Sequence, residues 1–286
     1  MTPLITPQQL VNMPDDVLVI DVQHSLQDPF AGLRAYAAGH LPQAAFLSVA
    51  QDLADDEHEG PEGGRHPLPN PHHFCDRLAE LGAREDTLLV AYDASGGVYA
   101  SRFWWLARHV GHLKVAILDG GLQAWVAEGG QLQTDDFKKA RSGRMTPRPT
   151  LCPRWSVEMV ESWVQSGALP DIAVLLDARS PERFRGDEEP LDPVAGHIPG
   201  AINRPYTENL QPDGRFKLPS VLREEFEALL QGQDPSAIVH SCGSGISACH
   251  NLVAMEAAGL PGSALYPGSW SEWCSNPKRP IATGPA

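Results

Sequence analysis

The sequence predicts an α/β protein of two similar domains, each a mainly parallel sheet flanked by helices on both faces. Three observations lead there. Short apolar runs alternate with amphipathic stretches along the chain, the pattern of β–α–β units. The chain has 286 residues, enough for two domains at roughly 100–200 residues each. Four motifs recur in the two halves in the same order, which marks an internal duplication.

The first motif is LVID, ending at Asp21, answered by VLLD, ending at Asp177. AGHLPQA from Ala38 is answered by AGHIPGA from Ala195, and VAYDASGGVYAS from Val90 by VHSCGSGISA from Val239. LDGGLQAW from Leu118 is answered by YPGSWSEW from Tyr266. In the first half, runs 17–20, 88–91 and 115–118 read as buried strands, and 71–81, 98–110 and 122–128 as helices. In the second half, 174–176, 237–239 and 264–266 read as strands, and 155–166, 219–230 and 246–258 as helices. The stretch FKKARSGRMTPRPTLCP is polar, basic and proline-rich, the composition of a linker. The expected division is an N-terminal domain over 1–138, a linker over 139–153 and a C-terminal domain over 154–286.

Composition excludes several functions. The net charge is -14, with 36 acidic residues against 22 Lys plus Arg. Such a surface disfavours nucleic acid and anionic membranes, so any anion site must be built locally from arginines or backbone N–H groups. No stretch approaches the roughly 18–20 apolar residues of a membrane span. The first residues lack a basic segment followed by an apolar run. The cysteines number 5, an odd and irregularly spaced set that reads as reduced thiols in a cytoplasmic protein. His72, His73 and Cys75 lie together, but no second ligand group stands at zinc spacing, so no metal is expected. No cofactor is called for. The acidic run over 52–62 reads as a solvated loop. His40 and His197 recur in both halves and read as structural.

The chemistry is expected at AIVHS-CGSGIS-ACHNLV, a strand, a loop and a helix with Cys242 at the strand end. Gly243 and Gly245 let the backbone of Gly243, Ser244, Gly245, Ile246 and Ser247 curl with its N–H groups inward. The positive end of a helix starting near Ile246 points to the same spot. A cysteine there is stabilised as a thiolate, and the same cradle suits the outer sulfur of a persulfide. Cys249 reads as core packing. The first-half counterpart of Cys242 is Asp93, which cannot carry sulfur. One half therefore holds the nucleophile and the other is scaffold.

These residues resemble the rhodanese superfamily, specifically its tandem-domain sulfurtransferases. Both AGH(L/I)P(Q/G)A motifs, Asp93 in the first loop, and the closing glycine-to-tryptophan signatures carry the resemblance across essentially the whole chain. The loop CGSGIS is similar to that of 3-mercaptopyruvate sulfurtransferases, whereas animal thiosulfate sulfurtransferases carry Arg and Lys after the cysteine. The resemblance implies two rhodanese-like domains and a two-step covalent reaction. A small-molecule sulfur donor, 3-mercaptopyruvate, loads Cys242 as a persulfide; a thiol such as thioredoxin, or cyanide, then removes the outer sulfur. Thiosulfate is the alternative donor by the same mechanism, and a non-catalytic binding module is a further alternative.

The resemblance also implies a Ser–His–Asp set for proton transfer. Ser244 matches its serine, and His66 in HPLP matches its histidine. Ala50 stands where the aspartate belongs and Ser48 at a nearby acidic position, leaving Asp52 as the candidate acid. The alternative for Ser244 is to cap the following helix. Arg183 matches the arginine that anchors the donor carboxylate. A second arginine is absent, since Leu191 and Asp192 occupy its region, and Arg185 is the candidate replacement. The resemblance implies a monomer. A cysteine phosphatase is disfavoured because Ala248 stands where the phosphate-clamping arginine would close the loop.

Overall fold

A computed structural model of the chain describes residues 2–13, 16–55, 63–139, 142–169 and 173–285. The later part of the acidic run, 56–62, lies outside the described residues. The chain divides into two compact units. One contains Met1–Asp56, Leu68–Leu151 and Leu210–Phe216; the other contains Glu57–Pro67, Cys152–Asn209 and Lys217–Ala286.

The first unit runs β1 (Leu4–Ile5), α1 (Pro7–Val11), β2 (Val17–Asp21), α2 (Ala31–Ala38), β3 (Ala45–Phe46), α3 (Pro71–Glu80), β4 (Leu88–Tyr92), α4 (Val98–His109), β5 (Val115–Leu118) and α5 (Gly121–Ala127). Its five strands lie in the order β1-β5-β4-β2-β3, and every ladder is parallel. All positions of β5 are buried, which requires cover on both sheet faces. Val90, Tyr92, Ala116 and Leu118 join Ile5, Leu41 and Trp125 in one core cluster. Asn70 starts α3 by accepting the His72 N–H at 2.9 Å, with Pro71 in the first helical turn. Such a cap stabilises a helix by about 1 kcal/mol.

The second unit runs α6 (Val157–Gln165), β6 (Val174–Asp177), α7 (Pro181–Arg185), β7 (Ile202–Asn203), α8 (Pro219–Leu230), β8 (Ile238–Ser241), α9 (Ala248–Ala257), β9 (Ala264–Leu265) and α10 (Ser269–Ser275). The strand order is β7-β6-β8-β9, again with parallel ladders. β6 and β8 are buried throughout, and Leu175 and Val239 pack with Trp163, Phe184, Trp270 and Trp273.

The duplication is visible in matching contacts. The Nδ1 of His40 is 2.9 Å from the Tyr36 carbonyl, and the imidazole stacks on Tyr36. The Nδ1 of His197 is 2.7 Å from the Phe184 carbonyl, and its ring stacks on Phe184. His40 exchanges backbone hydrogen bonds with Gln133, and His197 does so with Ala282. Both histidines thus pin the end of their unit, in accord with a structural role.

Several elements escaped the periodicity reading because they are too short to display a period: β1, β3 and β7 have 2 residues each, and α1 and α7 have 5. The strand expected over 237–239 is Ile238–Ser241, because Asp234 caps a 3₁₀ turn over Pro235–Ala237. The helix expected from 246 begins at Ala248, since tight turn bonds from Cys249 N–H to Ile246 and His250 N–H to Ser247 precede it.

Two segments leave their place in the chain order. Residues 63–67 join the second unit, where the Gly63 N–H bonds Glu272 Oε1 at 2.8 Å and the Arg65 N–H bonds Ser271 Oγ at 3.0 Å. Leu210–Phe216 joins the first, where the Phe216 N–H bonds Asp119 Oδ1 at 2.8 Å. The described linker residues up to Leu151 belong to the first unit, and Cys152 and Pro153 to the second: the N–H groups of Arg144, Arg148 and Leu151 bond the carbonyls of Ala83, Val110 and Arg108. Among the described residues no helix is long and apolar enough to cross a membrane.

Candidate active site

The strand β8 delivers Cys242 to the carboxyl edge of the second sheet, where parallel α/β folds bind ligands. The thiol is buried, at 2% exposure. The Gly245 N–H points at its Sγ from 3.1 Å. Gly245 has φ 77°, and a Cβ there would stand 2.3 Å from the Pro267 carbonyl oxygen, so the loop closes only with glycine. The other side of the loop is tied to the start of α10. The Cys242 N–H bonds Ser269 Oγ at 3.0 Å, and the N–H groups of Trp270 and Ser271 bond the Cys242 and Gly243 carbonyls. Ile246 and Ser247 complete the turn into α9; Ser247 is the N-cap and makes no side-chain cap bond. Cys249 is buried in α9 and directs its thiol to the Gly245 carbonyl.

Ser244 is not the helix cap. Its Oγ lies 2.8 Å from His66 Nδ1, joining two residues far apart in the chain. Asp52 belongs to the first unit, where Oδ1 accepts from Arg77 Nε at 2.9 Å and Oδ2 from the Ser48 N–H at 2.7 Å.

Arg183, on α7, bonds Glu189 at 2.7 Å and Asp192 at 3.4 Å. Its guanidinium also abuts the loop: a Cβ on Gly243 would lie 3.4 Å from Arg183 Nη1 and Nη2. Arg185 turns instead to Asp187, at 2.8 Å, and Glu182, at 3.6 Å. The second guanidinium at the loop comes from Arg65, whose Nη2 would be 3.0 Å from the same Cβ. Arg65 pairs with Asp192. The signal for Arg65 was its adjacency to His66, which any contact of His66 with the loop carries along.

Comparing the two copies exposes further residues that motif reading passed over. In the first unit Asp93 takes the place of Cys242, and its carboxylate accepts the N–H groups of Ser95 and Gly97 on Oδ1 and of Tyr99 and Ala100 on Oδ2. Burial raises the pKa of this carboxyl above the usual carboxylate range, against the pull of the four donors. With both oxygens accepting twice, the duplicated loop surrounds an acceptor group with inward N–H groups. Gln23, after Asp21, corresponds to Arg179, after Asp177. The two N–H groups make the same bond to the preceding carboxylate, at 2.9 and 3.0 Å. Only the second unit has a cation there. Arg179 is 1% exposed on its side chain, bonded to Asp177, and stands over the Trp270 ring at 4.9 Å. Burial works against its charge, but Asp177, Glu189 and Cys242 outweigh this and raise its affinity for the proton.

Among the described residues, no three His, Cys, Asp or Glu side chains gather in a way that could hold a metal ion. All five cysteines are buried and outside any disulfide. Burial pushes the Cys75 and Cys274 thiols up to about 11.

The fold and loop define a duplicated α/β protein in which one copy presents a thiol at a glycine-containing turn whose N–H points at it. The rhodanese-like domain family matches residues 6–128 and 157–276, and the chain belongs to that family, with two copies. A probable 3-mercaptopyruvate sulfurtransferase of Pseudomonas aeruginosa is 44% identical over 284 residues, covering 98% of both chains. The putative thiosulfate sulfurtransferase SseB of Mycobacterium tuberculosis is 39% identical over 289 residues, covering 99% of this chain and 98% of that one. Among solved structures, the 3-mercaptopyruvate sulfurtransferase of Leishmania major matches with TM-score 0.82 and 28% identity, over 95% of this chain and 74% of that one.

Proposed function

We propose that this sulfurtransferase takes sulfur from 3-mercaptopyruvate onto Cys242 as a persulfide and passes it to a thiol or to cyanide. The observation that carries the reading is the Gly245 N–H aimed at Cys242 Sγ, with the Ser244–His66 pair on the same loop.

In the first step the Cys242 thiolate attacks the donor sulfur. An S–S bond forms, the C–S bond breaks, and its electron pair leaves as pyruvate enolate. The donor thiol's proton ends on the enolate carbon, so Cys–S⁻ plus donor gives Cys–S–S⁻ plus pyruvate. Ser244 and His66 are the groups to carry that proton, His66 exchanging it through Ser244 Oγ. In the second step cyanide attacks the outer sulfur, returning the thiolate and releasing thiocyanate; a thiolate acceptor leaves as its own persulfide. Asp93 supports the cradle's role, because the equivalent turn already holds a side-chain carboxyl group on four N–H groups.

Thiosulfate is the second reading, favoured by the two guanidinium groups against Gly243. The same attack would then expel sulfite, with no proton needed. None of the five cysteines, all among the described residues, forms a disulfide, which suits a reducing compartment, so we take the protein as cytoplasmic.

The test is intact mass spectrometry after donor treatment. Native protein should gain the mass of one sulfur atom, located to Cys242 by peptide mapping, and lose it on adding cyanide. Cys242→Ser should gain nothing. Sulfur transfer surviving in Cys242→Ser would overturn the reading.

A further inference from the structure

One residue stands at the root of both members of the Ser244–His66 pair. The Ser271 N–H bonds the Gly243 carbonyl at 2.9 Å, and Ser271 Oγ accepts the Arg65 N–H at 3.0 Å. Gly243 directly precedes Ser244, and Arg65 directly precedes His66. A single buried residue in the first turn of α10 thus ties the neighbours of two side chains whose own contact is 2.8 Å. The Ser271 hydroxyl donates to the Gly268 carbonyl at 3.2 Å, which leaves its lone pairs for the Arg65 N–H.

Two further contacts fix the register of residues 63–67 on α10. Glu272 Oε1 accepts the Gly63 N–H at 2.8 Å. Gly64 has φ 73°, and a Cβ on it would stand 2.3 Å from Ser271 Oγ and 2.5 Å from the Gly268 carbonyl oxygen. Glycine alone meets both demands, so a slip of one residue would drive a side chain into that contact.

The duplication supplies an internal control. GRHPLP from Gly64 is answered by GRFKLP from Gly214, and both leading glycines are left-handed, at φ 73° and 81°. Phe216, in the place of His66, belongs to the first unit and packs beside Gly97 in the loop that carries Asp93. By the match of LDGGLQAW with YPGSWSEW, Ser271 and Glu272 answer to Gln123 and Ala124. Gln123 Nε2 bonds the Ala94 carbonyl at 2.8 Å, and an alanine side chain bonds nothing. There the segment is held by Asp119, which accepts the Phe216 N–H. The bridge through Ser271 accompanies the copy that has a histidine to place.

We infer that Ser271 is the positioning residue of the Ser244–His66 pair, and that Glu272 and Gly64 hold residues 63–67 in the register this requires. The inference rests on the reading of that pair as the carrier of the enolate proton. Misplacing a catalytic group by about 1 Å costs up to about a hundredfold in rate, so a hold on the neighbouring residue is enough to govern turnover.

The experiment measures kcat and KM for 3-mercaptopyruvate and for thiosulfate, with cyanide as acceptor, in full-length enzyme. The variants are Ser271→Ala, Glu272→Ala, Glu272→Gln, His66→Gln and the double variant Ser271→Ala/His66→Gln. Alanine keeps the residue 271 N–H on Gly243 and removes the hold on Arg65. Ser271→Ala should lower kcat with 3-mercaptopyruvate about tenfold or more and kcat with thiosulfate less than about threefold, since expelling sulfite needs no proton. Glu272→Ala should show the same split. Glu272→Gln keeps an oxygen for the Gly63 N–H and should restore most of the loss. In the double variant Ser271→Ala should cost nothing beyond His66→Gln.

Equal loss with both donors in Ser271→Ala would make the residue a support of the loop alone and overturns the inference. A native kcat with 3-mercaptopyruvate, or a full additional loss in the double variant, overturns it too. If Ser271→Ala does not fold, the two Glu272 variants decide by the donor split; if thiosulfate loads too slowly to measure, the double variant decides. A native rate in His66→Gln sinks the role of the pair and this inference with it. A slow His66→Gln beside a native Ser271→Ala sinks this inference alone.

Discussion

Ser269 holds the backbone at φ 53°, and its repeat partner Gly121 holds it at 55°. In the first unit that left-handed conformation costs nothing special, because glycine adopts it freely. In the second it is imposed on a fully buried serine, at a cost of about 1–2 kcal/mol. The return is the hydroxyl: Ser269 Oγ accepts the Cys242 N–H at 3.0 Å, donates to the Tyr266 carbonyl at 2.9 Å, and lies 4.0 Å from Cys242 Sγ. Strain of this kind is kept only where the surroundings hold it.

Ser269→Gly should therefore separate stability from activity. Relief of strain offsets the lost hydrogen bonds, so unfolding free energy in urea should move by less than about 1 kcal/mol. Sulfur transfer should fall, because Cys242 loses its side-chain anchor. Ser269→Ala keeps the strained backbone and leaves the Cys242 N–H buried without that partner, costing about 1–3 kcal/mol. Equal activity in Ser269→Gly and native enzyme would remove Ser269 from the positioning of Cys242.

Ser244→Ala and His66→Gln should act on one donor and not the other. Pyruvate enolate needs a proton and sulfite does not. Turnover with 3-mercaptopyruvate should fall about a hundredfold or more, in the range of general acid–base catalysis. Turnover with thiosulfate should be nearly retained. Parallel loss with both donors would mean that the pair only shapes the loop.

Asp93→Asn tests the cradle in the unit whose corresponding loop carries no thiol. One oxygen becomes an amide group, which would face two N–H donors where an acceptor stood. The loss should reach about 3–5 kcal/mol, the scale for breaking a buried charged contact. A stability change below about 1 kcal/mol by urea unfolding would mean the four contacts are individually weak.

His240 gives a pH dependence with a definite sign. It is buried on β8 with Nε2 3.2 Å from Ser263 Oγ and Nδ1 unpartnered. Burial pushes its pKa down from 6.5 to about 3. The unfolded chain binds the proton first, so this contribution is present above 6.5 and is lost progressively as pH falls toward 3. Its slope is at most about 1.4 kcal/mol per pH unit. His240→Leu should flatten the stability curve between these values. Identical slopes in the native protein and the variant would contradict a neutral buried imidazole.

Much of this protein was legible before any coordinates. Periodicity and the four repeated motifs sufficed for two parallel α/β units, because burial of a strand on both faces leaves a continuous apolar run such as Val174, Leu175 and Leu176. Local chemistry sufficed for the Cys242 turn, because glycine in a strand–loop–helix junction acts through neighbouring backbone. What only the tertiary structure decided is which distant side chains converge on that turn. Arg65, not Arg185, reaches Gly243, and Asp192 lies between Arg65 and Arg183. His66 meets Ser244 because residues 63–67 are hydrogen-bonded to the start of α10. These contacts depend on where loops land after the cores have packed, and no sequence period encodes that.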